Sequence, residues 1–444
     1  MQRVGKCGIV ILALVIVSVL FLGIAQSASA KEAVKAAYGW SVKDDVVEAV
    51  GEAVASMQRG LEGETPEWVL IYNTVGYDSG ALLTHVRNLL GPNVKIFGET
   101  STSGVVSTAG FHKGKVGSLA LLGVASPRMA FGVGAGDLNT LSPREAGKEA
   151  ILAAIENAGK GRGERPQMIL MFSPCGAEEQ ILLGIEEITG KKVPIFGGAT
   201  ADDTLEGRWK LYANAQVLSN AVIVTAIYSD LKMGWVMQHG LEEAADVGRG
   251  IVTRADGFKL YEIDNRPAGE VYNEWVGGAL SKELATGSQN TCNAFTCTNS
   301  LAKVVYDKKG RVVDHLVKLT VAFNLPEKSI TSFAHVAKGD ELILVRGTGK
   351  MMLRRPKTNA TLARARGRIP KEEVAFAING QCICTVLTVP EKEMYEMAPM
   401  VNEVLGDVPW IGAFTLGEQG YLTAGDMGNT HVNDLSWMVV FGKK

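Results

Sequence analysis

The stretch KKVPIFGGATADD, residues 191–203, predicts a short buried strand followed by a small, polar loop. The chain carries two related stretches, NVKIFGETSTSG at residues 93–104 and DVPWIGAFTLG at residues 407–417. Each of the three follows a segment with helical spacing of apolar residues and a glycine that ends the predicted helix. The sequence therefore predicts one structural unit that is used three times.

Each predicted unit also has an earlier apolar strand. These strands are WVLIY at 68–72, MILMF at 168–172 and VAFAI at 374–378. A strand–helix–strand connection favours two parallel strands, with the loops that follow both strands at one edge of the sheet. A long apolar strand follows each unit, at 116–124, 220–228 and 435–442. We predict an α/β fold, with α+β as the alternative, built from repeated strand–helix–strand units in mixed sheets and arranged as two domains after a signal peptide.

The first thirty residues have the pattern of a signal peptide. Arg3 and Lys6 precede an uncharged apolar run at 8–25, and the small residues Ala28-Ser29-Ala30 follow it. We predict an exported protein, periplasmic or extracellular, which an uncleaved leader would anchor in the membrane. The formal net charge of −2 predicts no large basic surface for nucleic acid.

Five cysteines follow the predicted leader, at positions 175, 292, 297, 382 and 384. Cys292 and Cys297 could form a local disulfide, whereas Cys382 and Cys384 are poorly spaced for one. An odd number of cysteines in an exported chain leaves a free thiol. The sequence shows no regular spacing of sulfur and histidine ligands, so we predict no metal site.

The loops at the shared sheet edge supply the candidate ligand-binding residues. The predicted set is Thr100, Ser101, Cys175, Thr200, Asp202, Asp203, Thr415 and Glu418. A carboxylate of Asp202 or Asp203 would pair with a ligand ammonium group, and Thr200 would supply a hydroxyl. The alternative is that both aspartates accept hydrogen bonds from the backbone of their own loop.

Cys175 lies at a predicted strand-to-helix turn, in FSPCGAEEQ at residues 172–180. A nucleophile is often placed at such a turn, and a helix N-terminus there would lower the pKa of the thiol. The chain has no Gly-x-Ser-x-Gly motif and no histidine placed as a base. We predict no catalytic residue and keep a thiol-dependent enzyme that uses Cys175 as an alternative function.

Several longer motifs resemble a known family. VPIFGGATADD at 193–203, QHG at 238–240 and VTRADGFKLYEIDNRPAGEVYNEW at 252–275 resemble the FIST sensory domain. VNEVLGDVPWIGAFTLGEQG at 401–420 and NTHVNDLSWMVVF at 429–441 resemble its FIST C companion. The resemblance covers about residues 60–444. It divides the chain into the leader (1–30), an N-terminal lead-in (31–60), a FIST N-like domain (61–258) and a FIST C-like domain (259–444).

The resemblance implies a sensory protein of signal transduction that binds a small ligand, such as an amino acid, without enzymatic activity. The implied partners are a small-molecule ligand and a membrane-bound signalling protein. A haem-based nitric oxide sensor is an alternative implied by the same resemblance, because His239 and His431 match histidines of the family. No other cofactor is expected.

Two charged segments complete the sequence predictions. Asp264 and Arg266 are predicted to lock a domain junction as an ion pair. The basic stretch from Arg354 to Arg368 is predicted as a solvated strand-and-loop edge, with contact to a partner or to anionic lipid as the alternative.

Overall fold

The computed structural model describes residues 34–204, 206–423 and 427–444, so the predicted leader at 1–30 lies outside the described residues. The first unit contains the stretch at residues 93–104 and the elements on both sides of it. Its elements are β1 (Lys35–Ser41), α1 (Val46–Gly60), β2 (Trp68–Thr74), α2 (Ser79–Leu90), β3 (Lys95–Ser101), β4 (Val105–Ser107), β5 (Gly110–His112) and β6 (Leu119–Ala125).

The second unit repeats this order. Its elements are β7 (Met129–Asp137), α3 (Pro143–Asn157), β8 (Met168–Ser173), α4 (Glu178–Thr189), β9 (Ile195–Ala199), β10 (Leu211–Ala213), β11 (Gln216–Leu218) and β12 (Ala221–Ser229). Side chains cap the first helix of both units, since Asp45 and Ser142 accept backbone N–H groups of α1 and α3.

The third unit begins with β13 (Met233–Gln238) and is then interrupted by an inserted segment. The insert contains β14 (Glu242–Glu243), β15 (Gly250–Asp256), β16 (Lys259–Ile263), β17 (Arg266–Pro267), α5 (Ala268–Trp275), α6 (Ser281–Thr286), α7 (Ala294–Thr298), β18 (Asn299–Tyr306), β19 (Val312–Lys318), β20 (Thr320–Asn324), β21 (Ser329–Ser332) and β22 (Glu341–Arg346). Its strands form one nine-stranded sheet. Arg266 pairs with Glu274 at 2.6 Å, whereas Asp264 accepts the Ile251 N–H, so the predicted ion pair is wrong.

The third unit then resumes. Its remaining elements are α8 (Gly349–Gly367), a 3₁₀ turn (Lys371–Glu373), β23 (Val374–Cys382), α9 (Cys384–Thr388), α10 (Glu391–Met394), α11 (Met397–Leu405), β24 (Trp410–Thr415), β25 (Glu418–Leu422), β26 (Gly428–Val432) and β27 (Ser436–Gly442). The basic stretch predicted as a strand-and-loop edge is wrong, because it forms α8.

The predicted parallel strand pairs are present in all three units. β2 pairs with β3, β8 with β9 and β23 with β24, each pair parallel, and β6, β12 or β27 runs antiparallel beside it. The helix between the paired strands ends at Gly91, Gly190 or Gly406, with φ of 85°, 83° and 85°. Glycine adopts positive φ without steric cost, which explains the repeated stop. These features confirm the mixed α/β fold.

Each unit donates a hairpin or short strand pair to another unit's sheet. β4–β5 of the first unit pairs with β24 of the third, β10–β11 of the second pairs with β3 of the first, and β25–β26 of the third pairs with β9 of the second. The exchange is therefore cyclic.

One apolar core joins the inner faces of the three sheets. Trp68, Phe172 and Phe376 are among its members, one from each unit. Aromatic pairs bridge the units, such as Phe97 with Phe172 at 4.6 Å between ring centroids. The helices cover the outer faces through separate apolar clusters. Among the described residues, no helix combines the length and apolar content needed to cross a bilayer.

Candidate functional site

The cyclic exchange brings together the three loops that follow β3, β9 and β24. We call residues 99–104, 198–203 and 413–418 the loop junction. Backbone hydrogen bonds link each loop to the next: Ala201 N–H to the Thr100 carbonyl at 3.1 Å, Leu416 N–H to the Ala199 carbonyl at 2.8 Å, and Thr102 N–H to the Phe414 carbonyl at 3.2 Å. The predicted shared rim is therefore a closed, mutually bonded structure.

The predicted hydroxyl residues hold the loops of the junction together. The Oγ1 atoms of Thr100 and Thr200 lie 3.3 Å apart, and Thr100 Oγ1 donates to the Ala201 carbonyl at 2.7 Å. Ser101 Oγ accepts the Phe414 N–H at 2.9 Å and donates to the Gly104 carbonyl at 2.7 Å. All three hydroxyl residues are fully buried. Their hydrogen bonds fix the relative position of the units.

The two aspartates of the second loop have different environments. Asp202 is buried and accepts backbone N–H groups of Thr204, Glu206 and Arg208, the last at 2.6 Å. These bonds match the alternative in which Asp202 organises its own loop. Asp203 is exposed and accepts the Ser103 N–H of the first loop at 2.6 Å. Its carboxylate lies at the outer rim of the junction.

Thr415 and Glu418 form the buried third side of the junction. Thr415 Oγ1 lies 2.9 Å from Glu418 Oε1, and Glu418 Oε2 accepts the Leu435 N–H at 3.0 Å. Burial raises the pKa of Glu418 to about 8, partly opposed by these hydrogen bonds. The Glu418 side chain is therefore protonated over much of the neutral range.

A second buried carboxyl group, Glu99, lies at the inner side of the junction. Burial and the neighbouring Glu418 raise the pKa of Glu99 well above its ordinary value. Neither of its carboxyl oxygens has a hydrogen-bond partner among the described residues, and the same holds for the Tyr72 hydroxyl. Two carboxyl groups so placed cannot both ionise at low cost. The sequence comparison of the three loops missed Glu99, although glycine and alanine fill the same place in the other two.

Cys175 is half-buried at the turn before α4 and packs against an apolar cluster that contains Ala199, Ala201 and Leu416 of the loop junction. Burial, with the carboxyl groups of Glu178 and Asp202 nearby, raises the pKa of its thiol to about 11. The prediction that a helix N-terminus lowers this pKa is wrong, because burial and negative charge outweigh the helix. A thiol that stays protonated at neutral pH is a poor nucleophile.

The histidines that match the family lie in buried networks. His431 Nε2 is 3.9 Å from Glu178 Oε1, and its Nδ1 is 3.3 Å from Gln419 Nε2. His239 Nδ1 accepts the Leu241 N–H at 3.0 Å, and burial lowers its pKa to about 3. These contacts give both rings a structural role.

Lys318, at the end of β19, was missed by the sequence analysis. Lys318 is 7% exposed. Burial lowers the pKa of its amine to about 8, although the carboxylates of Glu179 and Asp340 raise this pKa. The next residue, Leu319, packs in the same apolar cluster as Cys175. A buried lysine near the first turn of α4 is a candidate for binding an anionic group. The surrounding sequence, VKLTV at 317–321, does not distinguish a buried lysine from one at the surface of a strand.

A buried ion pair lies behind the junction and was also missed. Arg355 Nη1 is 2.9 Å from Asp434 Oδ1, with both side chains almost fully buried. The same guanidinium donates to the Asp434 and His239 carbonyls and to Thr385 Oγ1. Burial raises the pKa of Asp434 to about 7, while Arg355 lowers it. The sequence analysis placed Arg355 in a solvated strand-and-loop edge because the stretch is basic, so it missed this inward-facing arginine of α8.

The remaining cysteines meet beside this ion pair. Cys292, Cys297, Cys382 and Cys384 pack in one cluster with residues of the second and third loops. All are free thiols, so the structure contains no disulfide between Cys292 and Cys297. Spacing in the sequence did not predict this cluster, because Cys292 and Cys297 belong to the inserted segment and Cys382 and Cys384 to the third unit.

Comparison with known proteins gives a family match. The FIST N domain model matches residues 67–266, and the FIST C domain model matches residues 268–421. "Uncharacterized protein MJ1623" of Methanocaldococcus jannaschii is 28% identical over 102 residues. That match covers 22% of this chain and 19% of the relative, so the chain spans about a fifth of the relative's length.

Solved structures show only distant likeness. A cyanuric acid hydrolase from A. caulinodans is 12% identical with a TM-score of 0.32, over 93% of this chain and 100% of that chain. PurL of T. maritima in complex with ATP is 10% identical with a TM-score of 0.21, over 92% of this chain and 71% of that chain. Neither value supports an inference about function.

Proposed function

Because the chain belongs to the FIST family, whose domains are sensory domains of signal transduction, we propose that it is an exported sensor of a small zwitterionic metabolite, such as an amino acid. The ligand would bind beside the loop junction, near Cys175 and Lys318. An exported sensor would pass its signal to a membrane-bound partner.

The observation that carries this proposal is a buried amine near the start of α4, the helix that follows the Cys175 turn. Lys318 supplies a buried amine, and Glu179 of α4 lies close enough to raise its pKa. The exposed carboxylate of Asp203 lies on the outer rim of the junction. An amino acid carries a carboxylate for the Lys318 amine and an ammonium group for a carboxylate of the neighbouring loops, and charges attract most strongly where water is excluded.

Thermal unfolding of residues 31–444 against single amino acids and other small metabolites tests the proposal. A ligand at 100 times its dissociation constant stabilises the folded state by about 2.7 kcal/mol. We expect this shift with one chemical class. Lys318→Met should abolish it, because the ligand carboxylate loses its cation.

Lys303→Met is the matched control, since Lys303 lies on the neighbouring strand β18 and pairs with Asp340 at 2.6 Å. This variant should keep the ligand-dependent shift. Absence of a shift with every compound, or equal loss in both variants, would contradict binding at Lys318. Export is tested separately, by comparing the mass of the cell-associated and secreted or periplasmic protein with that of the full chain.

A further inference from the structure

Two separate segments bring four thiols to one place. Cys292 and Cys297 belong to the inserted segment, around α7, whereas Cys382 ends β23 and Cys384 begins α9. Helices α7 and α9 pack against each other. We call Cys292, Cys297, Cys382 and Cys384 the thiol cluster. Its position links the insert to the third unit.

Two residues of the thiol cluster, Cys382 and Cys384, have the donor spacing of a metal site together with Asp434. Donor atoms of Cys382, Cys384 and Asp434 all lie within 4.8 Å of one another. In a tetrahedral zinc site with Zn–S bonds of about 2.3 Å, the sulfur atoms are about 3.8 Å apart. The side chains would thus close on an ion by about 1 Å or less. Cys297 belongs to the same buried cluster as Cys382 and Cys384, and Cys292 packs against it.

An unpartnered carboxyl oxygen points to a missing cation at the same place. Asp434 is fully buried, and its Oδ2 has no hydrogen-bond partner among the described residues. Its Oδ1 is held by Arg355 at 2.9 Å. Buried acceptor oxygens are rarely left without a partner, because desolvation costs about 1–3 kcal/mol.

Arg355 also supplies the charge that such a site needs. Several thiolates around Zn²⁺ carry a net negative charge, which is costly to bury alone. Arg355 Nη2 donates to Thr385 Oγ1 at 2.8 Å, beside Cys384. A cation that orients and balances ligands from the outer side is usual in protein metal sites.

We propose that Cys382, Cys384 and Asp434 bind one Zn²⁺ ion through two thiolates and the Oδ2 atom, with Cys292 of the insert as the fourth ligand and Cys297 beside it. Four protein ligands leave no open position, so the site is structural and fastens the insert to the third unit. Each ligating thiol releases its proton to solvent, and no electron is transferred. Cys292 is only half-buried and gives the ion its entry path.

Metal analysis of the full-length protein, reduced, loaded with Zn²⁺ and desalted, tests this site. We expect one zinc per chain, and Co²⁺ in its place should give the intense thiolate charge-transfer absorption of a tetrahedral site. Cys384→Ser should lose the zinc and the absorption. Cys175→Ser is the matched control and should keep both, because Cys175 packs in the same neighbourhood from another unit.

If Cys384→Ser does not fold, Cys292→Ser replaces it, since its side chain is half-buried. Removal of zinc from the wild-type protein with a chelator should then lower its unfolding temperature. Reduced wild-type protein that holds no zinc would overturn the proposal. So would equal zinc content in Cys384→Ser and Cys175→Ser, or a Cys292–Cys297 disulfide in folded protein that still binds no zinc after reduction.

Discussion

Glu418 shows how a single residue makes the loop junction sensitive to pH. Its carboxyl group lies between Thr415 and the Leu435 N–H, with no exposed surface. Its pKa is about 8 in the folded protein, against an ordinary value of 4.5. The folded state therefore holds a proton that the unfolded chain has lost. This contribution to stability is complete below about pH 4.5 and is lost as the pH rises to about 8.

Glu418→Gln should reduce the pH dependence of stability in this window. The wild-type free energy of unfolding should fall with rising pH by up to about 1.4 kcal/mol per unit from this group. Urea unfolding at pH 5, 6, 7 and 8 measures the slope. Glu156→Gln, on the exposed face of α3, is the control and should keep the wild-type slope. An unchanged slope in Glu418→Gln would contradict the raised pKa.

Arg355 shows the cost of a buried charge that loses its partner. Arg355→Met leaves Asp434 without its cation in the interior, so we expect a loss of about 3–5 kcal/mol in the free energy of unfolding. Arg354→Met is the control, since Arg354 is exposed on the same helix, and should change stability by about 0.5 kcal/mol or less. Urea unfolding of both variants provides the measurement.

The double variant Arg355→Met with Asp434→Asn should recover part of the loss. Removing both charges avoids the unpaired carboxylate, which is the larger part of the cost. A double variant no more stable than Arg355→Met would show that packing of the arginine stem, and not charge, decides its role.

At the scale of elements, one glycine lets the third loop pack closely against β9 of the second unit. Gly198 of β9 pairs with Glu418 of β25. A Cβ atom at Gly198 would lie 2.5 Å from Thr415 Cγ2 and 2.7 Å from its Oγ1. The repeated stretches therefore differ for a steric reason. FGETS at 97–101 has Glu99 at the position where FGGAT at 196–200 has Gly198.

Gly198→Ala should destabilise the protein by about 1–3 kcal/mol, because the third loop must move away from β9. Gly51→Ala is the contrasting variant, since a Cβ there meets no atom within 4 Å. It lies in α1 and should stabilise by about 0.5–1 kcal/mol. Thermal unfolding of both separates the clash from a general effect of replacing glycine. Equal changes in the two variants would contradict the close approach.

At the scale of the whole molecule, the hairpin exchange makes the two halves depend on each other. β4–β5 completes a sheet with β24, and β25–β26 completes a sheet with β9. β13 pairs with β27, which lies at the other end of the third unit. A cut between residues 258 and 259 separates all these partners and exposes strand edges.

Residues 31–258 and 259–444, produced separately, should each lack a cooperative unfolding transition. Each would lack strands that complete its sheets and part of the shared core. Coexpression should restore a complex with cooperative unfolding, followed by circular dichroism in urea. A half that unfolds cooperatively alone would show that the exchanged hairpins are dispensable.

The sequence predicted the repeat and most elements of each unit, because these follow from local patterns. Apolar runs gave β2, β8 and the start of β23, and glycines gave the ends of α2, α4 and α11. α8 was mispredicted: Pro356, a residue untypical of helix interiors, lies within it, and its buried face contains Arg355 and Asn359. Periodicity is a weak signal where polar residues face inward.

The sequence by itself determined the three units, the parallel strand pairs and the small polar loops at their ends. Only the tertiary structure decided which unit receives each hairpin, that Glu99 and Glu418 are buried together, and that four cysteines meet beside Asp434. Helix ends and strands depend on neighbours a few residues away. The junction depends on contacts between residues up to hundreds of positions apart, as between Ser101 and Phe414, and no local pattern records them.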